Sequence, residues 1–223
     1  MSCIFLSKSI RFLSTVLALL PLSSSEAIAQ HKPDFTEALN VAKVSAPLTS
    51  EEKALAVKLA EQGLRSNKLF TDKKMYLTDA HIHRNTASEM KGVFERLAVL
   101  IYYRYEGDLA IEVFLNLTGQ QVLAVVQLPK FIPPISTEEF TLAREMALSH
   151  PQVRSVTGPY RDRLVVEAQT SRSESPKDPL FRHRVVYLTF RVGPNYLMRE
   201  SRVYVDLSAE KVVIEPVPKQ MRM

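Results

Sequence analysis

Cysteine is nearly absent from this chain. Cys3 stands alone within the first 29 residues, so a mature chain starting at Gln30 has no disulfide, no thiolate nucleophile and no cysteine-bearing metal site. Cys3 also comes too early, ahead of the first apolar run, to carry a lipoprotein anchor. Glycine is scarce as well, with six in 223 residues, which leaves little material for sharp catalytic turns. No Gly-x-Ser-x-Gly elbow, Gly-rich phosphate loop, His-Glu-x-x-His pair or EF-hand loop occurs. Long apolar runs are missing too. Residues 12–22 form a short apolar stretch, well under the roughly 20 residues that span a bilayer.

That stretch has another use. Lys8 and Arg11 precede it, Ser23, Ser24 and Ser25 follow, and Ala27-Ile28-Ala29 supplies a small-x-small cleavage site. Residues 1–29 therefore read as a secretory signal, and the expected product is exported, periplasmic or extracellular, with no transmembrane span in the mature chain. Losing Lys8, Arg11 and Glu26 lowers the net charge of +5 by one. The remaining charge is uneven, with ten Lys/Arg against five acids over residues 151–205. Arg182, Arg184 and Arg191 are candidates for binding a small anion. The alternation in Arg182-His183-Arg184-Val185 equally fits the solvated side of a half-buried strand. Export argues against nucleic acid as a partner.

The main positive signal is internal repetition. Leu48-Thr49-Ser50-Glu51-Glu52 matches Ile135-Ser136-Thr137-Glu138-Glu139, and both are capping boxes that open a helix. Gly63 marks the expected end of the first helix, and Pro151 blocks continuation of the second. Strand-like runs follow each helix: 75–83, 96–105, 110–117 and 122–128, then 163–170, 184–192, 197–207 and 211–216. The last hairpins correspond closely, with Asn116 matching Asp206 and Thr118 matching Ser208 as turn-closing residues. The predicted fold is α+β: two tandem modules, each one helix on a four-stranded antiparallel sheet, at 47–129 and 134–218. Residues 30–46 form a polar, loose lead-in. Pro129, Pro133 and Pro134 make a stiff connector that fixes the relative orientation of the modules.

The paired Thr/Ser-x-Glu-Glu openings, the Val203–Val213 hairpin and the trailing Glu215-Pro216-Val217-Pro218 resemble the tandem cystatin-like domains that precede the catalytic domain of copper amine oxidases. The resemblance covers about residues 45–218 and implies a cystatin-like fold with a non-catalytic role. In that family, copper and a tyrosine-derived quinone sit in a large downstream domain, for which a chain ending at Met223 leaves no room. The cofactor tyrosine lies in Asn-Tyr-Asp/Glu, whereas Asn195-Tyr196 is followed by Leu197. The copper-binding His-x-His follows that tyrosine, whereas His81-Ile82-His83 precedes Asn195-Tyr196. Amine oxidation by this chain is not expected.

Several smaller constellations remain. His81 and His83 share one strand face and could hold copper or zinc, with His31, His150, His183, Asp79 or Glu89 as further ligands. The alternative is a pair of surface imidazoles and no cofactor. Glu51-Glu52 and Glu138-Glu139 imitate acid/base pairs, but capping and the helix dipole explain them better. Asn116-Leu117-Thr118 fits a glycosylation triplet in a predicted turn. Tyr102, Tyr103, Tyr105, Phe94 and Phe114, matched by Tyr187, Phe190 and Tyr204, are expected between helix and sheet, the alternative being an aromatic groove for a peptide or small ligand. The function expected is that of an exported, non-catalytic binding or scaffolding protein whose partner is another exported protein. The alternatives are metal handling through His81 and His83, or anion binding through Arg182, Arg184 and Arg191.

Overall fold

A computed structural model of the chain describes residues 35–85 and 91–217. These all fall in the second of two units, Asp34–Met223. The expected signal at 1–29, together with Cys3, His31, Glu89 and Pro218, lies outside the described residues.

Helix α1 (Phe35–Ser45) lies within the segment expected to be a loose lead-in. Helix α2 (Ser50–Ser66) opens at Thr49 with a complete capping box and buries Ala56, Leu59, Ala60, Gly63 and Leu64. That i, i+3, i+4 spacing places one stripe on the sheet. Gly63 does not end the helix, which continues to Ser66 and is capped by Asn67. It is a close-approach residue: a Cβ there would stand 3.0 Å from Val122 Cγ1, so a larger residue would have to push the strand's side chain aside.

Strands β1 (Met75–His83), β2 (Leu97–Arg104), β3 (Leu109–Asn116) and β4 (Gln121–Leu128) form an antiparallel meander in that order. Ala98, Leu100 and Tyr102 on β2 and Leu109, Ile111, Val113 and Leu115 on β3 face α2 in one core. Fully burying a leucine such as Leu64 or Leu100 contributes roughly 2 kcal/mol.

The second module repeats the plan with additions. Helix α3 (Thr137–Ser149) is capped by the Ser136 box. Pro151 ends it and occupies the first turn of a further helix, α4 (Pro151–Thr157), which a 3₁₀ turn (Gly158–Arg163) extends. The sheet has five strands rather than four. β5 (Val165–Ser171), β6 (Val185–Val192), β8 (Ser201–Asp206) and β9 (Lys211–Pro216) follow in order, and β7 (Asn195–Leu197) pairs with β6. The run expected as one strand over 197–207 divides because Met198 takes a positive φ of 56°, which turns the chain out between β7 and β8.

The two last hairpins are built alike. Asn116 Oδ1 accepts from the Gly119 amide at 2.8 Å, and Asp206 Oδ1 accepts from Ser208 and Ala209 at 2.9 and 3.0 Å. Gln120 and Glu210 take the matching left-handed positions, φ 49° and 54°.

Candidate functional site

Each module contains an arginine clasp. In the first, Glu52 serves as the third residue of its capping box, its Oε2 accepting from the Thr49 amide at 2.9 Å. Arg96, the residue before β2, then grips the same carboxylate with Nε at 2.9 Å and Nη2 at 2.7 Å. Its nitrogens also donate to Ala46 O at 2.6 Å and Pro47 O at 3.0 Å. The second module has the same parts. Glu139 accepts from the Ser136 amide at 2.9 Å, and Arg184, the residue before β6, grips it with Nε and Nη2, both at 2.9 Å. Arg184 also donates to Pro133 O at 2.9 Å and Pro134 O at 2.8 Å. A bidentate charged pair of this kind is among the strong hydrogen-bonded arrangements. It joins helix start, strand start and incoming chain at one point. One acid of each pair, Glu52 and Glu139, thus completes a capping box.

The clasps differ in what surrounds them. Arg96 Nη1 also donates to Lys43 O and Val44 O, the C-terminal carbonyls of α1, at 3.2 and 3.0 Å. A cation there suits the negative end of the helix, and this contact, made from far along the chain, accounts for an ordered helix in the lead-in. The second clasp is covered by the first module. Tyr105 Oη donates to Glu139 Oε1 at 2.8 Å, and Arg184 Cζ lies 4.4 Å from the centre of the Tyr103 ring. Tyr103 Oη donates to Asp108 Oδ1 at 2.8 Å, and Asp108 pairs with Arg172. Lys74 Nζ donates to Leu207 O at 3.0 Å and to Glu210 Oε1 at 2.6 Å. The modules are therefore joined by a continuous network of ion pairs, hydrogen bonds and aromatic contacts.

Protonation follows from these partners. The Arg96 guanidinium, with the Thr49 amide, holds the Glu52 carboxyl down at about 2. Burial pushes the Tyr103 and Tyr105 phenols well above their ordinary value, reinforced by Asp108 beside Tyr103 and Glu139 beside Tyr105. Near neutral pH the two tyrosines are fixed donors, and the junction holds position rather than moving protons.

The residues singled out from sequence are dispersed. His81 and His83 are both exposed on β1. His81 Nδ1 is bonded to Asp79 Oδ2 at 2.8 Å, while His83 meets the Phe114 ring edge-on at 5.8 Å. Elsewhere, His150 Nδ1 is buried without a hydrogen-bond partner among the described residues, and His183 pairs with Asp206 at 2.6 Å. Among the described residues, no three His, Cys, Asp or Glu side chains gather as a metal-binding group.

Arg184 is 3 % exposed inside its clasp. Arg191 pairs with Glu167 at 2.7 Å at the other end of β6, roughly 20 Å away at a strand rise of about 3.3 Å. Arg182 lies over the Phe181 ring at 5.6 Å. The three do not converge. Asn116 is 5 % exposed, its amide nitrogen donating to Glu95 at 2.9 Å. Tyr102 faces α2 as expected, whereas Tyr105 packs against the core of the second module and Tyr103 covers Arg184 at the junction.

Arg96, Lys74, Asp108, Arg172 and Glu210 are absent from the sequence-derived candidates. A signal for Arg96 existed. Glu95-Arg96-Leu97 and His183-Arg184-Val185 both open the second strand after a capping box, so Arg184 had a counterpart in the repeat.

Two further surfaces stand out. β4 is an outer strand without a single charge between Gln121 and Leu128. Leu123 on it is 51 % exposed and Val126 39 %, and Phe131 and Ile132 beyond it are also exposed. A cavity of about 580 Å³ opens beside the first clasp, lined among others by Val44, Glu52, Phe94, Arg96, Leu117 and Thr118. No helix among the described residues is long and apolar enough to cross a membrane.

Compared with known proteins, the chain matches no family model and no curated protein. Among solved structures it is similar to a copper-containing benzylamine oxidase from Hansenula polymorpha, at 14% identity with a TM-score of 0.49. The match covers 78% of this chain and 30% of the oxidase chain, so this chain spans under a third of that enzyme's length.

Proposed function

We propose that this is an exported, non-catalytic binding or scaffolding protein that takes up an extended segment of another exported protein along β4. The observation that carries the proposal is the outer strand itself. β4 is eight residues long and uncharged, pairs only with β3 among the described residues, and exposes Leu123 and Val126. Outer strands are ordinarily protected by lysine, proline or a covering loop, because their open backbone pairs with any extended chain. An outer strand left apolar suits strand addition, in which backbone hydrogen bonds give affinity and alternate side chains give selectivity. The clasps support the same role, since their charged groups tie helix, sheet and connector together and hold the sheet as a firm platform.

Affinity capture with the tagged mature protein from the envelope fraction of its native host is the test. A single stoichiometric partner is expected, lost in the paired variant Leu123→Lys, Val126→Lys while folding is kept. Capture unchanged by that variant would remove β4 as the site. Turnover of a substrate by the purified chain alone would overturn the non-catalytic reading. Among the described residues, no converging groups support the readings that place a metal at His81 and His83 or an anion at Arg182, Arg184 and Arg191.

A further inference from the structure

The repeat places two equivalents of one pocket in the chain, and they are filled differently. Glu52 corresponds to Glu139, Arg96 to Arg184, Leu117 to Leu207, and Ala46-Pro47 to Pro133-Pro134. In the second module, this set receives the first module's hairpin end. Tyr105 Oη reaches the cap carboxylate at 2.8 Å, the Tyr103 ring covers the guanidinium at 4.4 Å, and Lys74 Nζ reaches the Leu207 carbonyl at 3.0 Å. In the first module, the equivalent position is a cavity of about 580 Å³, bounded on one side by α1. Its volume falls within the range typical of ligand pockets, roughly 300–1,000 Å³.

The remaining binding capacity can be read atom by atom. Glu139 Oε1 accepts from both Arg184 Nε and Tyr105 Oη, whereas Glu52 Oε1 accepts from Arg96 Nε. The Glu52 side chain is 28% exposed against 0% for Glu139, and that of Arg96 12% against 3% for Arg184. A charged carboxylate with a free lone pair beside a partly uncovered guanidinium selects a planar ring bearing a hydroxyl donor, by hydrogen bond and by cation–π contact.

We propose that this cavity is a docking site for a tyrosine side chain presented at a turn of a partner protein. The phenol hydroxyl donates to Glu52 Oε1, and the ring lies against Arg96. The second module already holds Tyr105 and Tyr103 with the equivalent groups of this same chain, which is what commits the occupant to a phenol rather than to an aliphatic or an anionic group. The site lies apart from the outer edge of β4, so the two proposals stand or fall separately.

The test is a titration of the full isotope-labelled chain with N-acetyl-tyrosinamide, followed by amide chemical shifts, with N-acetyl-phenylalaninamide in parallel. Shifts are expected at Thr49, Glu52, Arg96 and Leu117, saturating with the weak Kd of a fragment-sized ligand, about 1 mM. The phenylalanine analogue should bind about tenfold more weakly, because it leaves the carboxylate unanswered. Val44→Trp, which fills the cavity from α1 and leaves the clasp residues in place, should abolish the shifts. The pair Leu123→Lys, Val126→Lys should leave them unchanged. Equal affinity for the two analogues, shifts confined to other residues, or undiminished binding by Val44→Trp would overturn the proposal.

Discussion

The two clasps use the same residues in the same order and end in different physical states. Glu139 and Arg184 are sealed by Tyr103 and Tyr105, whereas Glu52 and Arg96 face a cavity and keep contact with water. Geometry within the clasps is nearly identical, with each arginine 2.7–2.9 Å from its carboxylate. What differs is the dielectric around them, and hence the consequence of losing a partner. One motif therefore serves in one module as a buried joint and in the other as a solvated latch on α1.

The largest effect expected is at the buried joint. Arg184→Met leaves the Glu139 carboxyl buried without its main partner, which costs about 3–5 kcal/mol. Arg96→Met removes an equivalent pair that water can replace, so its cost should fall to about 1–2 kcal/mol. Urea denaturation of the two variants at neutral pH measures the difference. Equal costs would show that the tyrosine cover contributes nothing to the joint.

The latch should also be the pH-sensitive one. Glu52 titrates at about 2 in the folded chain against an ordinary value of 4.5. A lowered folded value means that the stabilisation is complete above pH 4.5 and lost as the pH falls toward 2. Solvent screening limits it to roughly 1–2 kcal/mol. The stability gap between wild type and Glu52→Gln should therefore narrow steadily between pH 4.5 and pH 2. A gap constant over that interval would mean that the carboxylate's charge is not what Arg96 holds.

Much of the fold was legible because its signals are local. The capping boxes at Thr49 and Ser136 and the turn residues Asn116 and Asp206 act within a few positions of themselves. The helical lead-in was not legible, because Arg96 holds it from 50 or so residues away. Gly63 was misjudged for a related reason: what it fits is Val122, on another element. The junction was illegible altogether. Lys74, Tyr105, Asp108, Arg172 and Glu210 look like ordinary surface and strand residues until the two sheets are brought together, and no period or motif announces a contact between Asp108 and Arg172. Arg184 shows the limit most clearly. Its alternating neighbours suit a solvated strand face, yet it is 3 % exposed.

The finest contrast lies between the two kinds of buried tyrosine. Tyr105 donates to Glu139 at 2.8 Å, whereas the Tyr102 hydroxyl is buried facing α2 and finds no partner among the described residues. Removing a hydroxyl that answers a charged group costs about 1.5–3 kcal/mol, and removing one that answers nothing relieves a desolvation penalty. Tyr105→Phe should therefore lower the urea midpoint clearly, while Tyr102→Phe leaves it level or raises it by the equivalent of about 0.5–1 kcal/mol. The contrast also bears on the open cavity. A loss in Tyr105→Phe that disappears in the Glu139→Gln background would show that the phenol reads the cap carboxylate and not the ring's surroundings alone. That coupling, together with the Tyr103 ring over Arg184, is the pattern from which a phenol at Glu52 and Arg96 is argued.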